Sequence, residues 1–104
     1  MNPQEYASEI DAMRDLRQRG FATDLEFRDG ALRETATGRR FRTDEVAIVE
    51  HHRFEGESDP EDMSVVYAIE SEDGVRGIVM DAFGAYADPN LAAFLEKVKV
   101  REHV

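Results

Sequence analysis

Hard oxygen donors are concentrated in one short stretch, where Glu55, Glu57, Asp59, Glu61 and Asp62 follow one another closely. Ca²⁺ and Mg²⁺ take carboxylate oxygens of this kind, which makes the stretch a candidate divalent-cation site with Glu57, Asp59 and Asp62 as its metal ligands. The order departs from an EF-hand loop, because no glycine stands at the sixth position and no glutamate at the twelfth. Ser58-Asp59-Pro60 is also ordinary turn chemistry, Asp59 capping the turn and Pro60 opening it, so a solvated turn is the preferred reading.

A second set of polar residues surrounds Arg53. The spacing predicts that Arg53 lies on a strand beside a hairpin carrying Tyr67 and Asp81, with Tyr86 just beyond it. An Arg–carboxylate pair beside tyrosine hydroxyls can bind a small anion, and Arg53, Glu55, Tyr67, Asp81 and Tyr86 form that candidate ligand set. An ion pair that merely holds the sheet together is the competing explanation. His51 and His52 precede Arg53. Adjacent strand residues point to opposite faces, so these two cannot share a metal; Glu50 and His52 share a face but are too few for a site. No Ser/His/Asp order or carboxylate pair in an apolar setting supports nucleophilic catalysis, and no catalytic residue is assigned.

The 104 residues carry a net charge of −10, and its placement is uneven. Residues 44–73 hold eleven acids against Arg53 alone, whereas 28–43 hold five arginines against two acids. An acidic face repels polyanions, so neither nucleic acid nor an anionic membrane is an expected partner. Only Lys97 and Lys99 are lysines, and acid excess with scarce lysine fits the halophile-like composition of a salt-adapted host as well as it fits a site. The absence of cysteine excludes disulfides and thiolate metal sites. No apolar run approaches the roughly 20 residues of a membrane span, and the polar start MNPQEYASEI predicts a cytoplasmic protein without a signal peptide.

These residues must be positioned by a small sheet. Asn2-Pro3 with Glu5 predicts a helix start, Tyr6, Ile10, Met13 and Leu16 a single apolar stripe, and Gly20 the stop of a helix over 3–19. Phe21, Thr23, Leu25 and Phe27 alternate, and Asp29-Gly30 turns the chain into a short strand around 31–35. The arginine-rich 39–43 segment is expected at an edge, anchored by Phe41. Val46–Phe54 and Ser64–Ser71 are apolar on both faces, and Asp73-Gly74 joins the latter to a strand over 75–83 in which Gly77 marks a bulge or a close backbone approach. Asp88-Pro89 starts a second helix with Leu91, Phe94, Leu95 and Val98 on one face. The expectation is one α+β domain: about five strands, mostly antiparallel, with the N-terminal and C-terminal helices packed on one face.

The segments RFEGESDPEDMSVVYAI and GVRGIVMDAFGAYAD resemble a family of small bacterial proteins often labelled phosphoribosylpyrophosphate synthetase. The resemblance covers most of the chain, is densest over residues 53–88, and implies a shared fold without a mechanism. A synthetase would need an acidic ribose-phosphate loop ending in glycine and threonine, a tail that Asp59-Pro60-Glu61-Asp62-Met63-Ser64 lacks. The expected function is therefore a non-enzymatic binding or interaction domain that uses a sheet face or edge on a protein partner or on itself. The alternative is a domain, possible as an enzyme, for a small anionic or phosphorylated metabolite, or for Mg²⁺ or Ca²⁺, built on Arg53, the 55–62 loop and Asp81.

Overall fold

The computed structural model describes residues 9–54, 64–82 and 88–101, with Glu9 and Ala82 described by their backbone alone. In chain order the elements are α1 (Glu9–Gln18), β1 (Thr23–Arg28), β2 (Ala31–Glu34), β3 (Arg40–Phe41), a 3₁₀ turn (Thr43–Glu45), β4 (Val46–Phe54), β5 (Ser64–Ser71), β6 (Arg76–Ala82), α2 (Pro89–Glu96) and β7 (Lys99–Val100). The architecture is α+β, as expected. Among the described residues the sheet is larger than expected, seven strands in the order β3-β2-β1-β6-β5-β4-β7; it is mostly antiparallel, as expected, but mixed. Two pairings are parallel, β1 on β6 and β7 on β4. Both involve only two residue pairs and join segments far apart in sequence, which is why local patterning does not announce them.

The predicted turns form as their residues demand. Asp29 and Gly30 both adopt positive φ (52° and 80°), the type I′ conformation that suits the twist of a two-residue hairpin. At the β5–β6 hairpin only Gly74 does (φ 93°), and the Ser71 amide donates to the Val75 carbonyl at 2.8 Å, closing a loop one residue longer. Ser71 Oγ braces that loop, donating to Asp73 and accepting from the Val75 amide at 2.9 Å. Helix α1 ends in a Schellman motif: Gly20 takes φ 103°, Phe21 N–H donates to Leu16 O at 2.9 Å, and Gly20 N–H to Arg17 O at 3.1 Å. Its expected start at Asn2-Pro3 lies outside the described residues. At α2 the Asp88 carboxylate accepts from the Asn90 amide at 2.9 Å, and Pro89 occupies the first turn, the cap that Asp88-Pro89 predicts.

The helices lie on opposite faces of the sheet, which corrects the expectation that both cover one. Leu91, Phe94, Leu95 and Val98 pack with Leu25, Leu32, Phe41, Val46, Ile48, Ile69 and Val79. Leu16 and Phe21 pack instead with Val66, Ala68 and Ile78. The physical reason is in β5, whose two faces are both apolar and both need cover. On α1 the buried stripe is Ala12 and Leu16, with Met13 half-buried, whereas Ile10 is 64% exposed and does not join it.

One irregularity sets which side chains of β4 meet which helix. Ile48 pairs with Ile69 and Glu50 with Ala68, so Val49 is an extra residue, a β-bulge. In a regular strand Glu50 would share the face of Ile48, against α2. The bulge puts Val49 and Glu50 both on the α1 side, and from there His52 and Phe54 follow on that side while His51 and Arg53 face α2.

Candidate ligand-binding groove

Three adjacent strands assemble the polar residues on the α2 face. Arg53 of β4 and Asp81 of β6 both pair with Val65 of β5, so the two stand in one row across the sheet with a strand between them. Strand spacing of about 4.8 Å puts their backbones roughly 10 Å apart. In the next row Tyr67 pairs with His51 on one side and Val79 on the other. The rings of His51 and Tyr67 lie nearly parallel, with centroids 6.3 Å apart and planes inclined by 24°.

A groove of about 360 Å³ opens over this region. Its apolar walls come from Ile48, Val65, Leu95 and Val100, and its polar groups from His51, Arg53, Tyr67 and Glu96. Tyr67 is held protonated: burial is the main cause of a raised pKa, the Asp81 carboxylate adds to it, and the Arg53 guanidinium partly opposes both. At neutral pH the phenol is therefore a neutral hydrogen-bond donor, and the guanidinium supplies fixed positive charge beside it.

Of the residues singled out from sequence, Arg53 and Tyr67 share this groove. Asp81 belongs to the same row but lines the neighbouring hollow with Asp88 and Leu91, and its carboxylate accepts from the Asp88 amide at 3.3 Å. Glu55 and Tyr86, and the metal candidates Glu57, Asp59 and Asp62, lie outside the described residues. Among the described residues no group of three or more His, Asp or Glu could hold a metal ion. Sequence reading set His51 aside as a poor metal ligand, although its parity with Arg53 already put both on one face. Leu95 stands on the apolar face that the spacing predicts for the second helix, whereas Glu96 and Val100 arrive through α2 and the parallel return of β7 with no local signal to announce them.

The other face carries a polar cluster of a different kind. Glu50 is 6% exposed, yet its carboxylate receives two bonds from Arg19 at the end of α1, Nη1 to Oε1 at 2.9 Å and Nη2 to Oε2 at 2.6 Å. His52 Nε2 lies 2.5 Å from Oε2, and an ionised carboxylate can only accept, so that nitrogen carries the proton. Burial alone would raise the Glu50 pKa, but the hydrogen bonds and charges of Arg19 and His52 outweigh it and hold the carboxyl below its ordinary value. Arg19 also reaches Asp15 at 2.9 Å, and Arg76 donates to the Arg19 carbonyl while its guanidinium lies 4.3 Å over the Phe21 ring. The bonds among these groups run between the end of α1 and the sheet, so the cluster fastens α1 in place.

The chain matches no family model, no curated protein and no solved structure. Among the described residues, no helix is long and apolar enough to cross a membrane.

Proposed function

We propose that this chain is a non-enzymatic binding domain whose groove takes a small ligand with an anionic group, carboxylate or phosphate, held by Arg53 beside the His51–Tyr67 pair. The observation that carries this reading is the lining of the groove: apolar walls with a few convergent polar groups, the pattern of small-molecule sites. Arg53 offers a planar fork that fits two oxygens at once, the Tyr67 phenol can donate a further bond, and Ile48, Leu95 and Val100 cover an apolar portion of the ligand. Glu96 on the rim would repel a second anionic group, so a singly anionic end suits the groove better than a polyanion. Among the described residues the lining holds no serine, threonine or cysteine, and its one hydroxyl there is a phenol with a raised pKa, which favours binding over covalent chemistry.

Calorimetric titration with inorganic phosphate, ribose 5-phosphate, benzoate and citrate would test this reading. Saturable binding of at least one is expected, weakened about tenfold or more by Arg53→Gln, since a charge-assisted hydrogen bond contributes about 1.5–3 kcal/mol. Tyr67→Phe should cost less, about two- to tenfold, as for a neutral bond. Equal affinity in wild type and Arg53→Gln would sink the reading, as would the absence of any saturable heat up to ~10 mM, beyond which affinity falls under about 3 kcal/mol.

A further inference from the structure

Among the described residues most arginines of this chain, though not Arg14 or Arg28, are engaged by carboxylates, and the lysines are not. Arg17, Arg19, Arg33, Arg39, Arg40, Arg42, Arg76 and Arg101 each come within 4.0 Å of a carboxylate. Lys97 and Lys99, the only two lysines, form no such pair among the described residues, although carboxylates stand across a hollow from them. That hollow, of about 400 Å³, lies between the end of α2 with β7 on one side and the 3₁₀ turn with the β5–β6 hairpin on the other. One wall carries Lys97, Lys99 and Arg101, and the other carries Asp44, Glu45, Glu70 and Glu72.

Several of these charges are already engaged. Glu70 bridges Arg76 and Arg101, at 3.1 and 2.9 Å, and Asp44 and Glu45 flank Arg42 at 3.3 and 3.7 Å. Two ammonium groups therefore remain on one wall, and on the other the Glu72 carboxylate, whose residue is tied down through its backbone amide to the Glu45 carbonyl at 3.0 Å. Opposite charges that close on each other leave nothing for a ligand. Arg101 and Glu70 do close on each other, but Lys97, Lys99 and Glu72 line the same hollow without forming an ion pair among the described residues, and the lysines sit on rigid supports: Lys97 follows the α2 helix with its amide bonded to Phe94 O at 3.1 Å, and Lys99 pairs with Ala47 of β4.

We propose that this hollow binds a zwitterionic small molecule of the amino-acid type, its carboxylate toward Lys97 and Lys99 and its ammonium toward Glu72. Coulomb energies decide the class. A simple anion drawn to the lysines meets Glu72 and Asp44, and a simple cation drawn to Glu72 meets the two ammonium groups. A ligand that carries both charges satisfies both walls and adds no net charge to an already acidic protein. Thr43, on the rim, offers a hydroxyl able to donate to the carboxylate or accept from the ammonium.

The test is a ¹⁵N–¹H NMR titration of the full chain with glycylglycine and L-glutamine, with acetate and methylammonium as half-ligands at matched ionic strength. Both zwitterions are expected to shift the amides of Glu72, Lys97 and Lys99 saturably, and each half-ligand to bind at least tenfold more weakly. Lys97→Gln/Lys99→Gln and Glu72→Gln should each weaken zwitterion binding tenfold or more. All three positions are exposed, so the variants are expected to fold, and unchanged spectra elsewhere would show it. Arg53→Gln should leave these shifts intact, which separates this site from the groove across α2. Acetate binding as tightly as glycylglycine, shifts that survive both variants, or no saturable shift at all would each overturn the proposal.

Discussion

Replacing Gly77 by alanine is expected to lower the unfolding free energy by about 3 kcal/mol, at the upper end of what overpacking costs. The loss does not come from an unusual backbone, because Gly77 is not among the glycines with positive φ. It comes from the parallel contact between β1 and β6, where Thr23 pairs with Gly77. A Cβ at this position would stand 2.6 Å from the Thr23 carbonyl oxygen and 2.9 Å from Leu25 Cγ. The leucine could turn aside, but the carbonyl belongs to the neighbouring strand and moves only with it. Leu25→Ala combined with Gly77→Ala should therefore recover none of the backbone clash while adding the cost of its own cavity. Urea midpoints of the wild type, both single variants and the double variant measure this. A loss below about 0.5 kcal/mol for Gly77→Ala would show that β1 and β6 are not held so close.

The second large effect is expected at Glu50. Removing one partner of a fully buried ion pair costs about 3–5 kcal/mol; Arg19 keeps 38% of its side chain exposed and can rehydrate, so about 2–3 kcal/mol is expected for Glu50→Ala. The pH dependence follows from the lowered pKa of the Glu50 carboxyl. The unfolded chain takes up the proton first, at the ordinary glutamate value of about 4.3, and the folded chain only further down. Stability from this group is thus complete above that ordinary value and is lost as pH falls through the lower folded value. Wild type and Glu50→Gln should differ most at neutral pH and converge in acid. Parallel stability curves down to about pH 2 would show that Glu50 ionises in the fold as it does in the unfolded chain.

Much of the fold is legible in the residues, and what is hidden shares one cause. Caps and turns are local, so Asp88-Pro89, Gly20 and Asp29-Gly30 announce their conformations directly. The hairpin of β5 and β6 follows from two alternating runs joined by Asp73-Gly74. Both parallel pairings escape notice because two residue pairs leave no periodic trace. The same patterning that reveals β5 as apolar on both sides also allows two arrangements of the helices. Opposite faces win because Val66 and Ala68 need cover as much as Ile69 does. For the groove, alternation links His51 with Arg53 and the hairpin links Tyr67 with Asp81. The bulge at Val49 and the return of β7 depend on distant partners, and they decide where those pairs end up.

That bulge also makes β4 tolerant of a change in length. Two groups of side chains alternate along the strand, Glu50, His52 and Phe54 toward one helix, His51 and Arg53 toward the other. In an ordinary strand the loss of a single residue would exchange the two groups, burying a guanidinium where a carboxylate belongs. Val49 is spare length. Deleting it restores regular alternation between Ile48 and Glu50 and leaves every following residue on its present side. The cost is the packing of one half-buried valine, about 1 kcal/mol, together with some local twist. Deleting His51 instead forces either Glu50 or Arg53 onto the wrong face. In a survey of single-codon deletions, the Val49 deletion should therefore fold and keep its anion response, and the His51 deletion should lose one or the other.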